Sequence, residues 1–276
     1  MKILVTGATG FVGKNLIAKL EECDIDYVAI VRSETNFFKS SYVFNGDVAA
    51  LTCFIQDRYF EGVVHLASCF IGEHKSEQID DLVNANLLFG AKILEASVKG
   101  GIKWFLNTGT YWQHYNGASY DPVNLYAATK QAFEDIAKYY VEAYDLNFCT
   151  LKLSDTYGEN DTRKKIFALW KQIAKNGEEL GMSAGEQYVD IVHIDTATSA
   201  YLELIQKLHK DTDKKLKYTS YCLSSGERIT LKELAKKYEE THGVKLNIKW
   251  GVRPYRQREP MHPCCVGKYI VNNGEI

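Results

Sequence analysis

Short apolar runs alternate with longer amphipathic stretches through the first half of the chain. The short runs are rich in β-branched and aromatic residues and predict strands at Lys2–Thr6, Tyr27–Val31, Val63–Leu66, Trp104–Leu106 and Phe148–Leu153. The stretches between them carry apolar residues at helical spacing and predict helices at Phe11–Glu22, Gln78–Lys99 and Tyr126–Tyr144. Strands that alternate with helices favour a parallel sheet covered on both faces. The pattern therefore predicts an α/β fold with a doubly wound parallel sheet.

The pattern becomes less regular after Asp155. It predicts a strand at Tyr218–Leu223 and helices at Arg163–Asn176, Thr196–His209 and Leu231–His242. Thr230 and Glu233 form a capping box at the start of the last helix. We expect residues 1–155 to form the main sheet domain and residues 156–276 to form mainly a small C-terminal substrate-binding lobe, with some segments returning to the sheet. The lobe should lie over the carboxyl ends of the strands, where ligands of such sheets bind.

Composition and charge narrow the classes of function. With 33 basic and 35 acidic residues, the net charge is -2, which offers no field to attract nucleic acid or an anionic membrane. No apolar run approaches the roughly 20 residues that span a bilayer. The seven cysteines show no paired spacing and Met1 leads directly into a strand, so we expect a cytoplasmic protein. His262, Cys264 and Cys265 lack a second ligand pair, so we expect no metal site.

A glycine-rich loop follows the first strand and opens the first helix. The glycines permit a tight turn, a close approach of backbone to a pyrophosphate, and close packing of helix on strand, while the helix N-terminus presents free N–H groups. This context is typical of a Rossmann-type dinucleotide site. The residues that we expect to contact the cofactor here are Thr6, Gly7, Thr9, Gly10, Phe11, Val12 and Gly13.

The end of the second strand indicates which dinucleotide binds. Sites that prefer NAD usually carry an acidic residue there, whereas this chain has Arg32 and Ser33. A guanidinium and a hydroxyl favour the 2′-phosphate of NADP(H), and Lys39 is a further candidate. The alternative is that Arg32 is a solvated surface residue and cofactor choice is loose. Residues 1–155 are thus predicted to be an NADP(H)-binding domain, with an adenine contact or a plain turn at Asp47 and Val48.

A tyrosine and a lysine lie one helical turn apart in the third predicted helix. Tyr126 and Lys130 share a helix face, so the ammonium group and the positive nicotinamide should stabilise the phenolate and make the tyrosine a proton donor or acceptor near neutrality. Both residues should also contact the cofactor. Thr108 ends an upstream strand and should hydrogen-bond the same substrate oxygen as Tyr126. The predicted catalytic residues are Thr108, Tyr126 and Lys130.

These motifs together resemble the extended short-chain dehydrogenase/reductase family, in its NAD(P)-dependent epimerase/dehydratase branch. The resemblance covers residues 1–194 and rests on the glycine loop, the run His65–Ser68, the run Thr108–Thr110 and the Tyr126/Lys130 pair. It implies that Leu66, Ala67 and Ser68 lie beside the cofactor and that Asn86 has a structural role. Two further stretches, residues 107–115 and 154–158, are similar to sugar-nucleotide 4-ketoreductases of the CDP-abequose and CDP-paratose synthase type.

The resemblance also bears on the reaction. Family members that act as 4,6-dehydratases carry Thr-Asp-Glu where this chain has Thr108, Gly109 and Thr110, and C4 epimerases generally carry an acidic residue where this chain has Arg32. What remains is reduction of the C4 keto group of a nucleotide-linked 4-keto-6-deoxy or 3,6-dideoxy hexose by NADPH, with a CDP-sugar preferred. The alternatives are a nucleotide-sugar epimerase and a non-catalytic NADP(H)-sensing regulatory protein.

Substrate contacts are expected along the predicted cleft. Cations at the start of the helix after residue 158 could hold a diphosphate, although such a basic face is often only solvated. Asp155 replaces the asparagine that is common in the family, which puts that contact in doubt. The expected substrate-binding residues are Thr108, Thr110, Trp112, Gln113, Asp155, Arg163 and Lys165. Family resemblance further implies a homodimer built on the helices at Gln78–Lys99 and Tyr126–Tyr144.

Overall fold

Eight parallel strands form the central sheet of the computed structural model, which describes residues 1–271. With the short strands that pair outside this sheet, the strands of residues 1–271 are β1 (Lys2–Thr6), β2 (Asp26–Val31), β3 (Ser41–Val43), β4 (Gly62–His65), β5 (Trp104–Thr110), β6 (Asn147–Leu153), β7 (Asp155–Tyr157), β8 (Leu180–Gly181), β9 (Tyr188–Val189), β10 (Ile191–His193), β11 (Thr219–Ser224), β12 (Ile229–Thr230), β13 (Ile248–Lys249) and β14 (Lys268–Val271). The main sheet has the order β3-β2-β1-β4-β5-β6-β11-β14, and every pairing in it is parallel. This arrangement confirms the doubly wound α/β fold.

Helices cover both faces of the sheet. They are α1 (Phe11–Glu22), α2 (Val48–Arg58), α3 (Ile79–Val83), α4 (Phe89–Gly100), α5 (Leu125–Tyr144), α6 (Ile166–Asn176), α7 (Ile194–Lys210) and α8 (Leu231–His242). One apolar cluster joins the sheet to α1 and α7, and another joins the opposite face to α2, α4 and α5. A π-helical turn at Asn84–Leu88 connects α3 to α4, so the predicted helix at Gln78–Lys99 is present with an internal irregularity.

A small lobe sits apart from the sheet and has its own core. Trp170 and Ile173 of α6 pack there against Leu231 and Ala235 of α8 and against Leu246. The short pairs β8–β13 and β9–β12 edge this core. By contrast, β11 and β14 rejoin the main sheet, although both lie after residue 155. The division into an NADP(H)-binding domain and a substrate-binding lobe stays a prediction, because it depends on what each part binds.

Two cysteines whose spacing gave no sign of pairing are joined by a disulfide. Cys222 of β11 and Cys265, which precedes β14, form a disulfide 43 residues apart in sequence. The sequence did not indicate this bond because parallel pairing of β11 with β14 brings together segments that are distant along the chain. The bond also removes Cys265 from any metal site. Within residues 1–271 no cluster of His, Cys, Asp and Glu is arranged to hold a metal ion, and no helix there is long and apolar enough to cross a membrane.

Thiol titration checks this pairing. We expect unfolded protein purified without reductant to react at five thiols, since the free cysteines of the described chain are Cys23, Cys53, Cys69, Cys149 and Cys264. Prior treatment with a dithiol reductant should expose all seven. Seven reactive thiols before reduction would contradict the pairing. A Cys222→Ser variant supplies the control, because it should give a count that rises on reduction only if a different pair has formed.

Candidate active site

The glycine-rich segment that joins β1 to α1 has two positions, Gly7 and Gly13, at which any side chain would clash with the backbone. Gly7 has a φ of 70°, and a Cβ there would lie 2.5 Å from the backbone nitrogen of Ala67. A Cβ on Gly13 would lie 2.2 Å from the carbonyl oxygen of Gly7. Gly10 caps α1, and no side chain in the described structure caps that helix terminus. Its first N–H groups are therefore free for phosphate oxygens, and the loop fits a dinucleotide.

The neighbouring end of β4 is tied to this loop by a threonine. The hydroxyl of Thr6 lies 2.8 Å from Nδ1 of His65 and accepts a hydrogen bond of 3.2 Å from the backbone N–H of Ala67. Burial lowers the pKa of His65 to about 3, so the ring is neutral, and its tautomer decides whether Nδ1 or the Thr6 hydroxyl donates in this bond. Leu66 and Ala67 consequently lie against Gly7, beside the proposed cofactor path.

The end of β2 carries a free guanidinium group. Arg32 and Ser33 are exposed there, and Arg32 forms no hydrogen bond or ion pair within the described residues. Lys39, the further candidate for a phosphate, instead forms an ion pair of 3.4 Å with Glu21. The side chain of Asp47 accepts a hydrogen bond of 3.0 Å from the backbone N–H of Ala50 and caps α2. Asp47 therefore caps a helix through one carboxylate oxygen, and its contact with adenine stays a prediction.

Helix α5 presents the tyrosine and the lysine at its start. Its N-cap is Asn124, whose side chain accepts a hydrogen bond of 2.9 Å from the backbone N–H of Ala127. Lys130 is 1% exposed, and burial lowers its pKa to about 8 although the carboxylate of Glu134 opposes that shift. At neutral pH the lysine is therefore mostly an ammonium group, although it loses its proton more easily than an exposed lysine. It lies one helical turn from Tyr126.

The tyrosine itself is a neutral phenol at physiological pH. Burial raises the pKa of Tyr126 to about 12, although a hydrogen bond with Ser68 works in the opposite direction. Desolvation of the phenolate dominates among the protein's own residues, and the expected shift of this pKa toward neutrality by Lys130 and the nicotinamide charge together stays a prediction. A phenol that holds its proton is suited to donate it, which favours a role as a general acid.

A buried asparagine holds the loop that carries Ser68. Asn86 donates hydrogen bonds of 3.0 Å to the carbonyl oxygen of Cys69 and to the hydroxyl of Thr129. Its side-chain oxygen accepts from the Cys69 N–H at 2.8 Å and from the Ser68 hydroxyl at 3.2 Å. The asparagine thereby fixes the loop after β4 against α5 and places Ser68 at the phenol of Tyr126.

Thr108 lies near the carboxyl end of β5. Its hydrogen-bond partner is on α7, which covers the face of the sheet opposite to α5. Its hydroxyl is 2.7 Å from the phenolic oxygen of Tyr201 on α7. Burial raises the pKa of Tyr201 far above the usual range, and the charge of an ionised Tyr126 raises it further. The hydroxyls of Thr108, Tyr201 and Tyr126 therefore share one neighbourhood. Nothing in the sequence pattern had singled out Tyr201, which occupies an ordinary apolar position of an amphipathic helix.

Two of the expected substrate contacts support the turn after β5 instead. Thr110 accepts a hydrogen bond of 3.3 Å from the backbone N–H of Trp112. Gln113 is fully buried, accepts from the Thr110 N–H at 2.8 Å, and donates to Gln131 and Glu134 at 2.9 Å each. The structure does not bring Gln113 to the cleft, because these partners turn its amide into the protein.

The cleft is a cavity of about 780 Å³ between the sheet and the small lobe. Residues on its wall from the sheet side include Phe70, Trp112 and Ser154, and α6 with the segment before it supplies the facing wall. The ring of Phe70 is 5.4 Å from that of Trp112 and 5.0 Å from that of Tyr126, measured between centroids. A large apolar side chain that is 53% exposed beside the phenol indicates a surface that a ligand covers.

The charges of the cleft differ from those expected. Arg163 donates to both oxygens of Asp161 at 2.7 Å and to the carbonyl oxygen of Thr156 at 2.8 Å, so its charge is already neutralised. Lys165 lines the cavity and lies 2.6 Å from Asp155. Burial acts to raise the pKa of Asp155, but the charge and hydrogen bond of Lys165 together with the charges of Arg163 and Arg256 outweigh it, and the net shift is downward. Asp155 is therefore an ion-pair partner of a cavity cation.

One cation of the cleft was missed in the sequence. Arg256 lines the cavity, and its guanidinium carbon lies 5.4 Å from the ring centroid of Trp112. The nearby Arg258 is anchored to Asp121 and to the carbonyl oxygen of Pro122, which fixes this C-terminal segment beside the turn after β5. No local motif indicated the segment, because its position depends on these distant partners.

Comparisons with known proteins agree with this geometry. The model of the NAD dependent epimerase/dehydratase family matches residues 3–217. CDP-abequose synthase of Salmonella typhimurium is 27% identical over 238 residues, covering 84% of this chain and 77% of the relative. CDP-abequose synthase of Salmonella muenchen is 28% identical over 274 residues, covering 94% and 87%. The solved structure of MoeE5 in complex with UDP-glucuronic acid and NAD superimposes with a TM-score of 0.79 at 20% identity, covering 98% and 90%.

Proposed function

The chain belongs to the NAD dependent epimerase/dehydratase family, and we propose that it is an NADPH-dependent sugar-nucleotide 4-ketoreductase. Its substrate is a nucleotide-linked 4-keto-6-deoxy or 3,6-dideoxy hexose, in particular a CDP-sugar, on a route to surface polysaccharide. The observation that carries the proposal is the placement of a half-buried tyrosine, Tyr126, which lies one helical turn from Lys130 on α5 and packs edge-to-face against Phe70 at the wall of the cleft. The similarity to CDP-abequose synthases over most of the chain supports the choice of sugar.

Each residue has a defined task in this reaction. The reduced nicotinamide supplies the hydride when the cofactor is bound. Tyr126 donates its phenolic proton to the carbonyl oxygen as that oxygen gains charge, and Thr108 donates a hydrogen bond to it. Lys130 stabilises the phenolate that remains. The cofactor's phosphates would lie on the loop Gly7–Gly13, and Arg32 with Ser33 would hold the 2′-phosphate.

The substrate's diphosphate is proposed to bind two cations of the cavity that each pair with one carboxylate, Lys165 with Asp155 at 2.6 Å and Arg256 with Glu73 at 3.7 Å. Lys165 and Arg256 both line it, and Arg256 already lies over the ring of Trp112. Arg163 is assigned the task of holding the loop before α6, because its guanidinium donates to both oxygens of Asp161 and also to Thr156. The nucleotide would thus extend from the catalytic hydroxyls toward the small lobe.

Aromatic rings at the cavity wall favour a deoxygenated sugar. A sugar carbon without its hydroxyl can pack on Phe70 and Trp112, whereas a hydroxyl facing these rings loses water without gaining a partner. We expect Phe70→Ser to lower the preference for a 3,6-dideoxy over a 3-hydroxylated substrate about tenfold, measured as the ratio of kcat/KM values. Phe37→Ser is the matched control, because Phe37 is an exposed phenylalanine outside the cavity lining. An equal loss for both substrates would contradict this assignment.

An epimerase remains the second candidate, since the fold is shared with NAD-bound proteins. An epimerase returns the hydride to its substrate, so its cofactor copurifies and is not consumed. The absorbance of the purified protein distinguishes the two. The ketoreductase should be isolated without a stoichiometric nicotinamide and should consume added NADPH. The regulatory alternative has no use for the Tyr126/Lys130 pair.

A homodimer is proposed on the faces of α3, α4 and α5. The exposed apolar side chains of α3, of the π-helical turn before α4 and of α5 are those of Ile79, Val83, Leu88, Tyr139 and Tyr144. Burial of such a surface in a partner would remove it from water. We place the protein in the cytoplasm, where the pool of small thiols would favour reduction of the Cys222–Cys265 disulfide.

A further inference from the structure

Tyr201 is buried in apolar surroundings except at its hydroxyl. It lies on the face of α7 that packs against the sheet, within the cluster that also contains Leu106 and Leu151. Its side chain has no exposed surface. Within the described residues, the hydroxyl of Thr108 at 2.7 Å is the partner of its phenolic oxygen. The phenol group is therefore placed for that one contact.

The two hydroxyls hold two protons, and only one of them lies between the oxygens. Burial keeps Tyr201 protonated, because its pKa is raised far above the usual range. If Thr108 donated, the Tyr201 proton would face apolar side chains without an acceptor, which is costly for a buried donor. Donation by Tyr201 satisfies that proton. It leaves the proton of Thr108, which is only half-buried, free to point toward the cleft.

We propose that Tyr201 is a positioning residue, which donates to Thr108 and so presets the Thr108 hydroxyl as a donor to the substrate's carbonyl oxygen. Tyr201 does not touch the substrate, and it acts only through Thr108. This role rests on the proposed function, since it assumes that Thr108 contacts the reacting oxygen. A hydroxyl aimed before the substrate arrives needs no reorientation as charge develops on that oxygen.

Packing alone does not require the tyrosine hydroxyl. The buried stripe of α7 is otherwise made of small or apolar side chains and one threonine, and a phenylalanine ring would fill the same space. Tyr201→Phe therefore removes the hydrogen bond and leaves the ring. Tyr27→Phe is the matched control, because Tyr27 is buried in the same cluster and its hydroxyl donates to Glu21 at 2.6 Å, at the other end of the sheet.

The test is a double-mutant cycle in kcat with Thr108→Ala, using NADPH and the 4-keto sugar that the wild type reduces. We expect Tyr201→Phe to lower kcat about tenfold with KM within about twofold, and Thr108→Ala to lower it about 100-fold. Adding Tyr201→Phe to Thr108→Ala should lower kcat no further, because the Thr108 hydroxyl that Tyr201 positions is then absent. Tyr27→Phe should retain wild-type kcat.

Three results would overturn the proposal. Tyr201→Phe could keep full kcat, it could lower kcat equally in both backgrounds, or it could raise KM with kcat unchanged. A parallel cycle in Tm examines the bond without any substrate, and strictly additive losses of Tm would overturn the bond itself. If the wild type reduces no 4-keto sugar while the Tm cycle is coupled, the proposed function has failed and the positioning role with it, but the bond stands.

Discussion

Replacing Tyr126 with phenylalanine should lower kcat for ketone reduction about 1,000-fold, because the reaction loses its proton donor. The phenol has a pKa of about 12, so the wild-type residue carries its proton throughout the range of a practical assay. Phenylalanine keeps the edge-to-face contact with Phe70 and adds no charge. KM should therefore stay within about twofold of the wild-type value. Initial rates of NADPH oxidation at saturating substrate measure the effect.

The control for this variant is on the same helix. Tyr139 of α5 is 60% exposed and far along the helix from the cleft, so Tyr139→Phe should retain wild-type kcat. NADPH affinity and Tm of Tyr126→Phe should also match the wild type, which separates a chemical loss from misfolding. A kcat within threefold of wild type would show that another group supplies the proton.

The second large effect concerns the choice of cofactor. Arg32→Ala should weaken NADPH binding about 30-fold while changing the Kd of NADH by less than about twofold, because the guanidinium is proposed to contact the 2′-phosphate, which NADH lacks. The free guanidinium at the end of β2 is the basis of this expectation. Nicotinamide fluorescence during titration measures both Kd values without any turnover.

Lys39→Ala provides the matched loss of charge. Lys39 is paired with Glu21, so its removal should leave the ratio of the two Kd values unchanged. If Arg32→Ala weakened NADPH and NADH equally, the arginine would serve the fold of the loop and not the phosphate. An unchanged NADPH affinity would favour the interpretation of Arg32 as a solvated surface residue.

Much of the sheet domain was predictable because its signals are local. The limits of α1 coincide with the prediction, and those of β2, β4 and β6 differ by about one residue. Helix α2 was missed, since only Leu51 and Ile55 of its apolar residues are buried and its pattern is weak. Strand β14 was also missed, because it is short and its pairing with β11 is set by contacts distant in sequence.

The residues of the candidate site differ in the same way, since some belong to local motifs and others depend on contacts distant in sequence. The glycine loop and the Tyr126/Lys130 pair are short motifs whose chemistry follows from spacing, so the sequence could indicate them. The roles of Gln113 and Tyr201 depend on hydrogen-bond partners in other elements. No local sequence pattern shows whether a buried polar side chain forms such a bond or only fills space. Arg163 is an intermediate case, since Asp161 lies only two residues earlier and could have suggested that the charge is neutralised.

The most direct test of the central claim is the loss of reduced-nicotinamide absorbance when the purified protein meets NADPH and a panel of CDP-, dTDP- and GDP-linked 4-keto-6-deoxy and 3,6-dideoxy sugars. The ketoreductase should oxidise one NADPH for each sugar alcohol formed with one member of the panel, and NADH should support a much slower rate. Unchanged absorbance with every sugar, together with isomeric nucleotide sugars separated by chromatography, would contradict the account and identify an epimerase.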